Sequence, residues 1–285
     1  MNTTDLVFAT LVGAVIGSFL NVCVARWPLD QSVVRPRSRC PRCGHRIAWY
    51  ENVPVVSWLL LRARCRGCAA RISVVYPLTE LVVALLWLAA VLEFGFTFTA
   101  LRVAVFGTLL LGIMLTDASH YTIPDGFTAF GALWALLAAA AGVFLGETLP
   151  FAGMYDALVG ACVGAGAIAI AGWVGEMAFK KEAMGFGDAT LMAMVGAHLG
   201  VGRTLLTVFL GALLGAVIFL LVVYPVAWLA RGRGETGEQL ELPVTRAPFE
   251  PPLVPFGVFL APAAMISLIW GDALIDWYAH GMLGL

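Results

Sequence analysis

Apolar segments long enough to cross a lipid bilayer recur along the whole chain, and this recurrence constrains the fold most. A spanning helix needs about 20 apolar residues, because the hydrocarbon core is about 30 Å thick. Eight segments approach or meet that length: Leu6–Ala25, Leu78–Leu92, Thr99–Thr116, Phe127–Leu145, Ala157–Gly175, Ala189–Val201, Thr204–Ala230 and Val254–Trp270. Of the 285 residues, 61% are hydrophobic and only 12% are charged, whereas a soluble domain is nearer one quarter charged. The sequence therefore predicts an all-α polytopic membrane protein with about eight transmembrane helices, and it excludes a cytosolic enzyme, a secreted disulfide scaffold and a disordered chain.

The positive charge is concentrated in one short block near the N-terminus. Ten of the 17 basic residues lie there, and all ten are arginine: Arg26, Arg35, Arg37, Arg39, Arg42, Arg46, Arg62, Arg64, Arg66 and Arg71. The positive-inside rule places such a block in the cytoplasm. Arginine-rich blocks also bind nucleic acid. This block, however, is short, is tethered on both sides to apolar spans and carries four cysteines, so we expect no nucleic-acid partner.

The segment Ala189–Val201 is the doubtful span, because 13 residues of helix reach only about 20 Å. Charge bias decides how it is interpreted. If the segment crosses, further basic residues join the arginine block on the cytoplasmic side: Lys180, Lys181, Arg231, Arg233 and Arg246. We therefore expect it to cross, with both chain termini outside.

Four cysteines within the arginine block form two C-x-x-C pairs, Cys40 with Cys43 and Cys65 with Cys68. Two such pairs at this separation are typical of a zinc ribbon, in which each pair supplies two thiolates from a tight turn. Two disulfides or four free thiols are the alternatives. A cytoplasmic position argues against disulfides, because cytosolic thiols are kept reduced. The sequence thus predicts a small zinc-ribbon-like module with a structural metal.

Glu51 and Asn52 lie between the two cysteine pairs, after two aromatic residues and before Pro54. This segment is either a small-molecule pocket or an ordinary turn on the ribbon. The residues alone favour the turn.

Two aspartates stand at the ends of predicted spans on the cytoplasmic side. Asp117 ends one apolar segment and Asp188 begins another, directly after Gly185-Phe-Gly187. Ionisable residues at membrane depth are costly and usually functional. Two facing carboxylates share one proton, so that their pKa values move apart. This is the arrangement of an aspartic peptidase. The alternatives are that Asp188 only caps its helix, or that the pair serves a proton-coupled transporter.

The ordered set of motifs resembles the bacterial type IV prepilin peptidases, bifunctional leader peptidases and N-methyltransferases of the G-x-G-D aspartic class. The resemblance covers nearly the whole chain. Besides the two cysteine pairs it rests on these segments: Gly17-Ser-Phe-Leu-Asn-Val22, Glu51-Asn-Val-Pro54, Tyr76-Pro77-x-Thr79-Glu80, Asp117 with Ile123-Pro124-Asp125, Gly185-Phe-Gly-Asp188 and Pro255-Phe-Gly257. The G-x-G-D motif alone is weakly specific, whereas the ordered set is highly specific.

The resemblance implies three regions: a first transmembrane helix over 1–25, a cytoplasmic four-cysteine domain associated with methyl transfer over 26–76, and a G-x-G-D peptidase domain over 77–285. It implies that Asp117 and Asp188 are the catalytic pair. The supporting residues would be Gly185, Gly187 and Asp125, the methyltransferase candidates Glu51 and Asn52, and the zinc ligands Cys40, Cys43, Cys65 and Cys68.

The resemblance also implies a location, substrates and a co-substrate. The enzyme would lie in the bacterial inner membrane, in contact with lipid, with its cysteine domain and active site on the cytoplasmic side. It would remove the basic leader of prepilins and pseudopilins of type IV pilus and type II secretion systems. It would then methylate the new N-terminal residue, usually Phe, with S-adenosylmethionine. A peptidase without methyltransferase activity, a proton-coupled transporter and a non-catalytic assembly protein remain the alternatives.

Overall fold

The computed structural model describes residues 2–146, 150–180, 184–226 and 254–282, and nearly all of its regular structure is helical. The helices are α1 (Thr3–Arg26), α2 (Val56–Leu60), α3 (Val75–Phe94), α4 (Phe98–His120), α5 (Asp125–Leu145), α6 (Met154–Phe179), α7 (Phe186–Ile218, continued by a π-helical turn, Phe219–Val223) and α8 (Gly257–Met282). Within these residues seven helices are long and apolar enough to cross a membrane, α2 being the exception. The prediction of an all-α polytopic membrane protein is confirmed.

Local chemistry sets the ends of the helices. Thr97 caps the start of helix α4, and its hydroxyl accepts a hydrogen bond from the Ala100 N–H at 3.2 Å. Helices α3 and α5 are followed by Gly95 and Gly146, both with φ of +68°, a positive value that glycine adopts without steric cost. Pro124 precedes α5, where its fixed φ suits a helix start.

Glycines allow α1 and α3 to pack closely. A Cβ added at Gly17 would lie 2.8 Å from the Glu80 Cα, and one added at Gly13 would lie 2.8 Å from the Trp87 Cβ. Small residues four apart are the usual means of close approach between membrane helices. The cysteine module lies between α1 and α3 in the sequence. The close packing of these two helices therefore fixes the position of the module at one end of the helix pair.

Helix α7 is interrupted at Gly200, where φ is 74° and ψ is −178°. In a continuous helix Met192 and Thr204 would be about 18 Å apart. Instead, a Cβ at Gly164 of α6 would lie within about 3 Å of both residues. The chain therefore turns back at Gly200, and α7 consists of two helical segments, 186–199 and 201–218.

This turn explains how the structure accommodates the doubtful span. The predicted segments Ala189–Val201 and Thr204–Ala230 correspond to the two helical segments of α7 and its π-helical continuation, which the turn at Gly200 separates. The last part of the second segment, with Arg231, Arg233 and Arg246, lies outside the described residues, as does Lys181.

The expected extent of the final span is wrong. The sequence predicts Val254–Trp270, but α8 runs from Gly257 to Met282. The prediction stopped at the charged residues that follow Trp270. One of them, Asp272, forms an ion pair with Arg203 of α7, and this pairing allows a charged residue inside an apolar helix.

Candidate active site and cysteine module

Asp117 lies in the last turn of α4 and is almost completely buried, with 5% of its surface exposed. Its Oδ2 accepts a hydrogen bond from the backbone N–H of Val258, at 3.2 Å, in the first turn of α8. Gly257 is equally close, since a Cβ at that position would lie 2.7 Å from the same oxygen. The first turn of α8 therefore fixes the position of the Asp117 carboxylate.

Asp188 is the third residue of α7 and is half-buried. Its Oδ2 accepts a hydrogen bond from the backbone N–H of Gly185 at 3.3 Å, which closes the first turn of the helix. Asp117 lies near enough to act electrostatically on Asp188. Asp188 therefore both closes the first turn of α7 and neighbours a second carboxylate.

Ile123 joins the two halves of the site. It follows α4, and its side chain lies against Gly187 on one side and Gly257 on the other, within 3.0 Å of where their Cβ atoms would be. The ends of α4, α7 and α8 therefore converge on one point. The structure brings together Asp117, Asp188, Gly185 and Gly187 as the sequence predicts.

Three residues of this site carry no predicted role: Ile123, Gly257 and Val258. The signal was available for the first two, because both lie in segments that support the family resemblance. Neither is ionisable, however, and a search for acids, bases and metal ligands passes over them.

Asp125, predicted as a supporting residue, is exposed at the start of α5, two residues after Ile123. It lines a cleft of about 410 Å³ together with Trp27, Asp30 and Ser32 from the segment that follows α1. Asp125 is thus close to the aspartate site in sequence. In the structure, however, it lines the cleft between α5 and the segment that follows α1, and not the site of the two carboxylates.

The four predicted zinc ligands converge. The Sγ atoms of Cys40, Cys43, Cys65 and Cys68 all lie within 4.8 Å of one another. Cys40 and Cys68 are 3.9 Å apart, as are Cys43 and Cys65. Tetrahedral zinc with Zn–S bonds near 2.3 Å requires sulfur separations of about 3.8 Å. The thiols thus fit a zinc ion in spacing and in number.

The pKa values of two of the thiols are also shifted in a way that fits a cation site. Backbone N–H groups of Cys43 and Arg42 lower the pKa of Cys40 to about 6. The N–H of His45 lowers the pKa of Cys43, but lost solvation and the neighbouring thiols outweigh it and raise that pKa to about 11. Four thiolates this close would repel one another, so the thiols do not all lose their protons together. A bound divalent cation offsets this repulsion.

The two C-x-x-C turns have nearly the same backbone. The N–H of Gly44 donates to the Cys40 carbonyl, and the N–H of Ala69 donates to the Cys65 carbonyl, both at 2.9 Å. Gly44 and Ala69 are left-handed, with φ of +73° and +54°. In the first turn the left-handed residue is thus a glycine, Gly44, whereas in the second turn it is Ala69.

Glu51 ends a short 3₁₀ turn, and 6% of its side chain is exposed. Its carboxylate accepts from the Ala48 N–H at 3.0 Å and lies 3.1 Å from His45 Nε2 and 3.5 Å from an Arg66 nitrogen. The Ala48 N–H, and after it His45, lower the pKa of Glu51. The segment is therefore an ordered turn, which is the reading that the residues favour.

Asn52 follows this turn and is exposed. Its side-chain Nδ2 donates to the Ser18 hydroxyl of α1 at 3.4 Å. The module is thus attached to the membrane helices through the segment that holds both methyltransferase candidates, Glu51 and Asn52.

Comparison with known proteins agrees with this arrangement. Residues 11–94 match the family model of the bacterial peptidase A24 N-terminal domain, and residues 104–220 match that of the type IV leader peptidase family. The Prepilin leader peptidase/N-methyltransferase of Stutzerimonas stutzeri is 33% identical over 95% of this chain and 92% of its own length. The chain belongs to the type IV leader peptidase family. The resemblance stated from the sequence motifs is confirmed.

Further relatives carry the same name. That of Pseudomonas aeruginosa PAO1 is 34% identical over 94% of this chain and 91% of its own length. That of Myxococcus xanthus DK1622 is 48% identical over 68% of this chain, and the match covers 56% of that relative. No solved structure matches the chain. The N-terminal family match ends with the last residue of α3 and includes the whole cysteine module of this chain.

Proposed function

We propose that this protein is a membrane-embedded aspartic endopeptidase that removes the leader of prepilins and methylates the new N-terminal residue with S-adenosylmethionine. The observation that carries the proposal is the convergence of Asp117 and Asp188, from different helices, at one end of the helix bundle. The names of the relatives that match over more than nine tenths of their length support both activities.

Peptide hydrolysis follows from the shared proton of the pair. The ionised carboxylate takes a proton from a water molecule, whose oxygen attacks the scissile carbonyl carbon. The protonated carboxyl donates to the carbonyl oxygen, giving a tetrahedral gem-diol. Collapse of this species breaks the C–N bond, and the leaving amine receives a proton from the pair. A Cβ at Gly185 would meet no atom closer than 3.7 Å, so this glycine leaves room beside Asp188 for an extended substrate backbone, whereas Gly187 admits the side chain of Ile123.

We place the site on the cytoplasmic side of the inner membrane. The arginine-rich module follows α1 and precedes α3, and Trp27 at the end of α1 packs on Gly126 near the start of α5. The module and the aspartates therefore share one end of the bundle. A substrate with a basic leader outside the bilayer and an apolar helix within it would present its cleavage site at that depth. Prepilins fit this description, as do pseudopilins of type II secretion systems.

Methyl transfer follows cleavage in this proposal. The neutral N-terminal amine attacks the sulfonium methyl carbon of S-adenosylmethionine, the C–S bond breaks, and S-adenosylhomocysteine and a proton leave. Glu51 and Asn52 are the candidate residues of the module. Cys40, Cys43, Cys65 and Cys68 would hold a zinc ion that fixes the two turns around this segment. Four thiolates fill a tetrahedral site, so the metal is structural.

The test is incubation of purified protein in detergent with a prepilin and S-adenosylmethionine, with mass spectrometry of the product N-terminus. Wild type should release the leader and add one methyl group. Asp117→Asn and Asp188→Asn should do neither, because cleavage creates the methyl acceptor. Asp5→Asn, in the first turn of α1 at the opposite end of the bundle, is the matched control and should retain both activities. Intact prepilin with folded wild type would overturn the peptidase. Cleavage without methylation would leave a peptidase only.

A further inference from the structure

A buried carboxylate in α3 faces the cysteine module rather than the aspartate pair. Glu80 lies one and a half turns into this membrane helix, and only 8% of its surface is exposed. Its Oε2 accepts a hydrogen bond of 2.7 Å from the backbone N–H of Val55. A carboxylate buried in a membrane helix is costly and marks a functional position more often than a structural one.

The backbone that Glu80 holds is strained. Val55 has φ of 60° and ψ of −48°, and the Val56 N–H donates to the Pro54 carbonyl at 2.6 Å. This is a γ-turn of the rare, strained type, with a β-branched residue at its centre. Such a conformation persists only where the surroundings impose it, and strained backbone is concentrated at functional sites. The Glu80 carboxylate contacts this turn at its central residue, through the Val55 N–H.

The strained turn directly follows the segment that carries the two methyltransferase candidates. Asn52 is three residues before Val55, and its side chain donates to Ser18 of α1. Gly17 beside Ser18 lets α1 approach Glu80 closely. Glu80 and Ser18 therefore attach the same short segment to the α1–α3 pair at two points.

We propose that Glu80 is a positioning residue for methyl transfer, which acts by holding the γ-turn at Val55 and so fixes the Glu51–Asn52 segment against the α1–α3 pair. The inference rests on the proposed methyltransferase function. Glu80 need not touch the co-substrate, since its effect passes through the backbone of the turn. Leader cleavage depends on α4, α7 and α8 and is not expected to require this contact.

The test uses full-length protein in detergent and separates the two activities. Cleavage is measured on a prepilin. Methylation is measured on product that wild type has cleaved without S-adenosylmethionine, so it does not depend on the cleavage rate of each variant. The variants are Glu80→Ala, Glu80→Gln and the double variant Glu80→Ala/Val55→Gly. Glu93→Gln, an exposed glutamate at the other end of α3, is the control.

Loss of a hydrogen bond to a charged group predicts a fall of roughly 10- to 100-fold in kcat/KM for methyl transfer in Glu80→Ala. Cleavage should change by less than about threefold, and Glu80→Gln, which keeps an acceptor oxygen, should be intermediate. Glycine adopts φ above zero without strain, so Val55→Gly should restore much of the lost methylation. A residue that only stabilises the fold would not be rescued in this way.

Several results would overturn the inference. The inference fails if Glu80→Ala methylates as well as Glu93→Gln, if it loses cleavage and methylation equally, or if Val55→Gly gives no recovery. If Glu80→Ala does not fold, the ratio of the two activities in Glu80→Gln decides instead. No methylation by wild type would refute the proposed function itself, which is a different outcome from any of these.

Discussion

Gly257→Ala is the perturbation that tests the geometry of the aspartate pair most directly. The new Cβ would lie 2.7 Å from Asp117 Oδ2 and 3.0 Å from the Ile123 Cδ1 atom. Carbon and oxygen do not approach this closely without a bond, so either the carboxylate or the start of α8 must move. In both cases the hydrogen bond from the Val258 N–H to Asp117, 3.2 Å in the native structure, is lost or lengthened.

The expected magnitude follows from that bond. A hydrogen bond to a charged group contributes about 1.5–3 kcal/mol. Each 1.36 kcal/mol lost from transition-state stabilisation lowers the rate about tenfold. Gly257→Ala should therefore lower kcat for leader cleavage by roughly 10- to 150-fold.

The assay is steady-state cleavage of a prepilin by purified protein, with methylation of pre-cleaved product as an internal check on folding. Gly281→Ala is the matched control, since it lies in the same helix and its Cβ would come no closer than 3.9 Å to any atom. Cleavage by Gly257→Ala at the rate of Gly281→Ala would show that the first turn of α8 does not position Asp117. Loss of methylation of pre-cleaved product along with cleavage would point to general unfolding instead.

Three further predictions concern the module. Cys40→Ser should reduce bound zinc from about one ion per chain to none, measured by atomic absorption, and should weaken methylation more than cleavage; unchanged zinc would refute the four-thiolate site. Ala69→Gly should raise the stability of the module by about 1 kcal/mol, measured by thermal unfolding, because Ala69 has φ of +54° where Gly44 occupies the equivalent place in the first turn; an unchanged or lower stability would contradict this. The pKa of Glu51 is lowered by the Ala48 N–H and then by His45, so its contribution to stability is present above its unfolded pKa of about 4.3 and is lost as pH falls through its folded pKa. The difference in melting temperature between wild type and Glu51→Gln should therefore shrink as the pH falls below about 5, and a constant difference would show that the charge of Glu51 does not matter.

Much of the fold follows from hydropathy, because every spanning segment must satisfy its own backbone hydrogen bonds in lipid and can do so only as a helix. The ends of α4 and α7, which place Asp117 and Asp188, are predicted because charge is excluded from the apolar runs. The same rule fails at the C-terminus. There α8 continues past Asp272, and its pairing with Arg203, 69 residues earlier in the chain, is not visible in local hydropathy.

The candidate site was only partly predictable for a related reason. Side-chain chemistry marks the carboxylates and thiols, whereas Gly257 and Ile123 act through shape and through a backbone N–H. Their contribution depends on which helix end meets Asp117, and that contact links residues 141 positions apart. The strained turn at Val55 was equally hidden, because no residue type there requires a positive φ.

The turn at Gly200 accounts for a short helix that would otherwise be incompatible with the bilayer. Segment 186–199 is only about 21 Å long, so its C-terminal carbonyls end inside the hydrocarbon region unless protein covers them. The chain before α6 provides this cover: the Ala152 N–H donates to the His198 carbonyl at 2.9 Å, and Arg203 donates to the Pro150 carbonyl. Polar groups are therefore buried at this end because the short helix stops there. The length of segment 186–199 in turn sets the depth in the membrane of Asp188, which lies at the other end of the segment. Because the segment is short and fixed at both ends, it holds the Asp188 carboxylate at the level of Asp117.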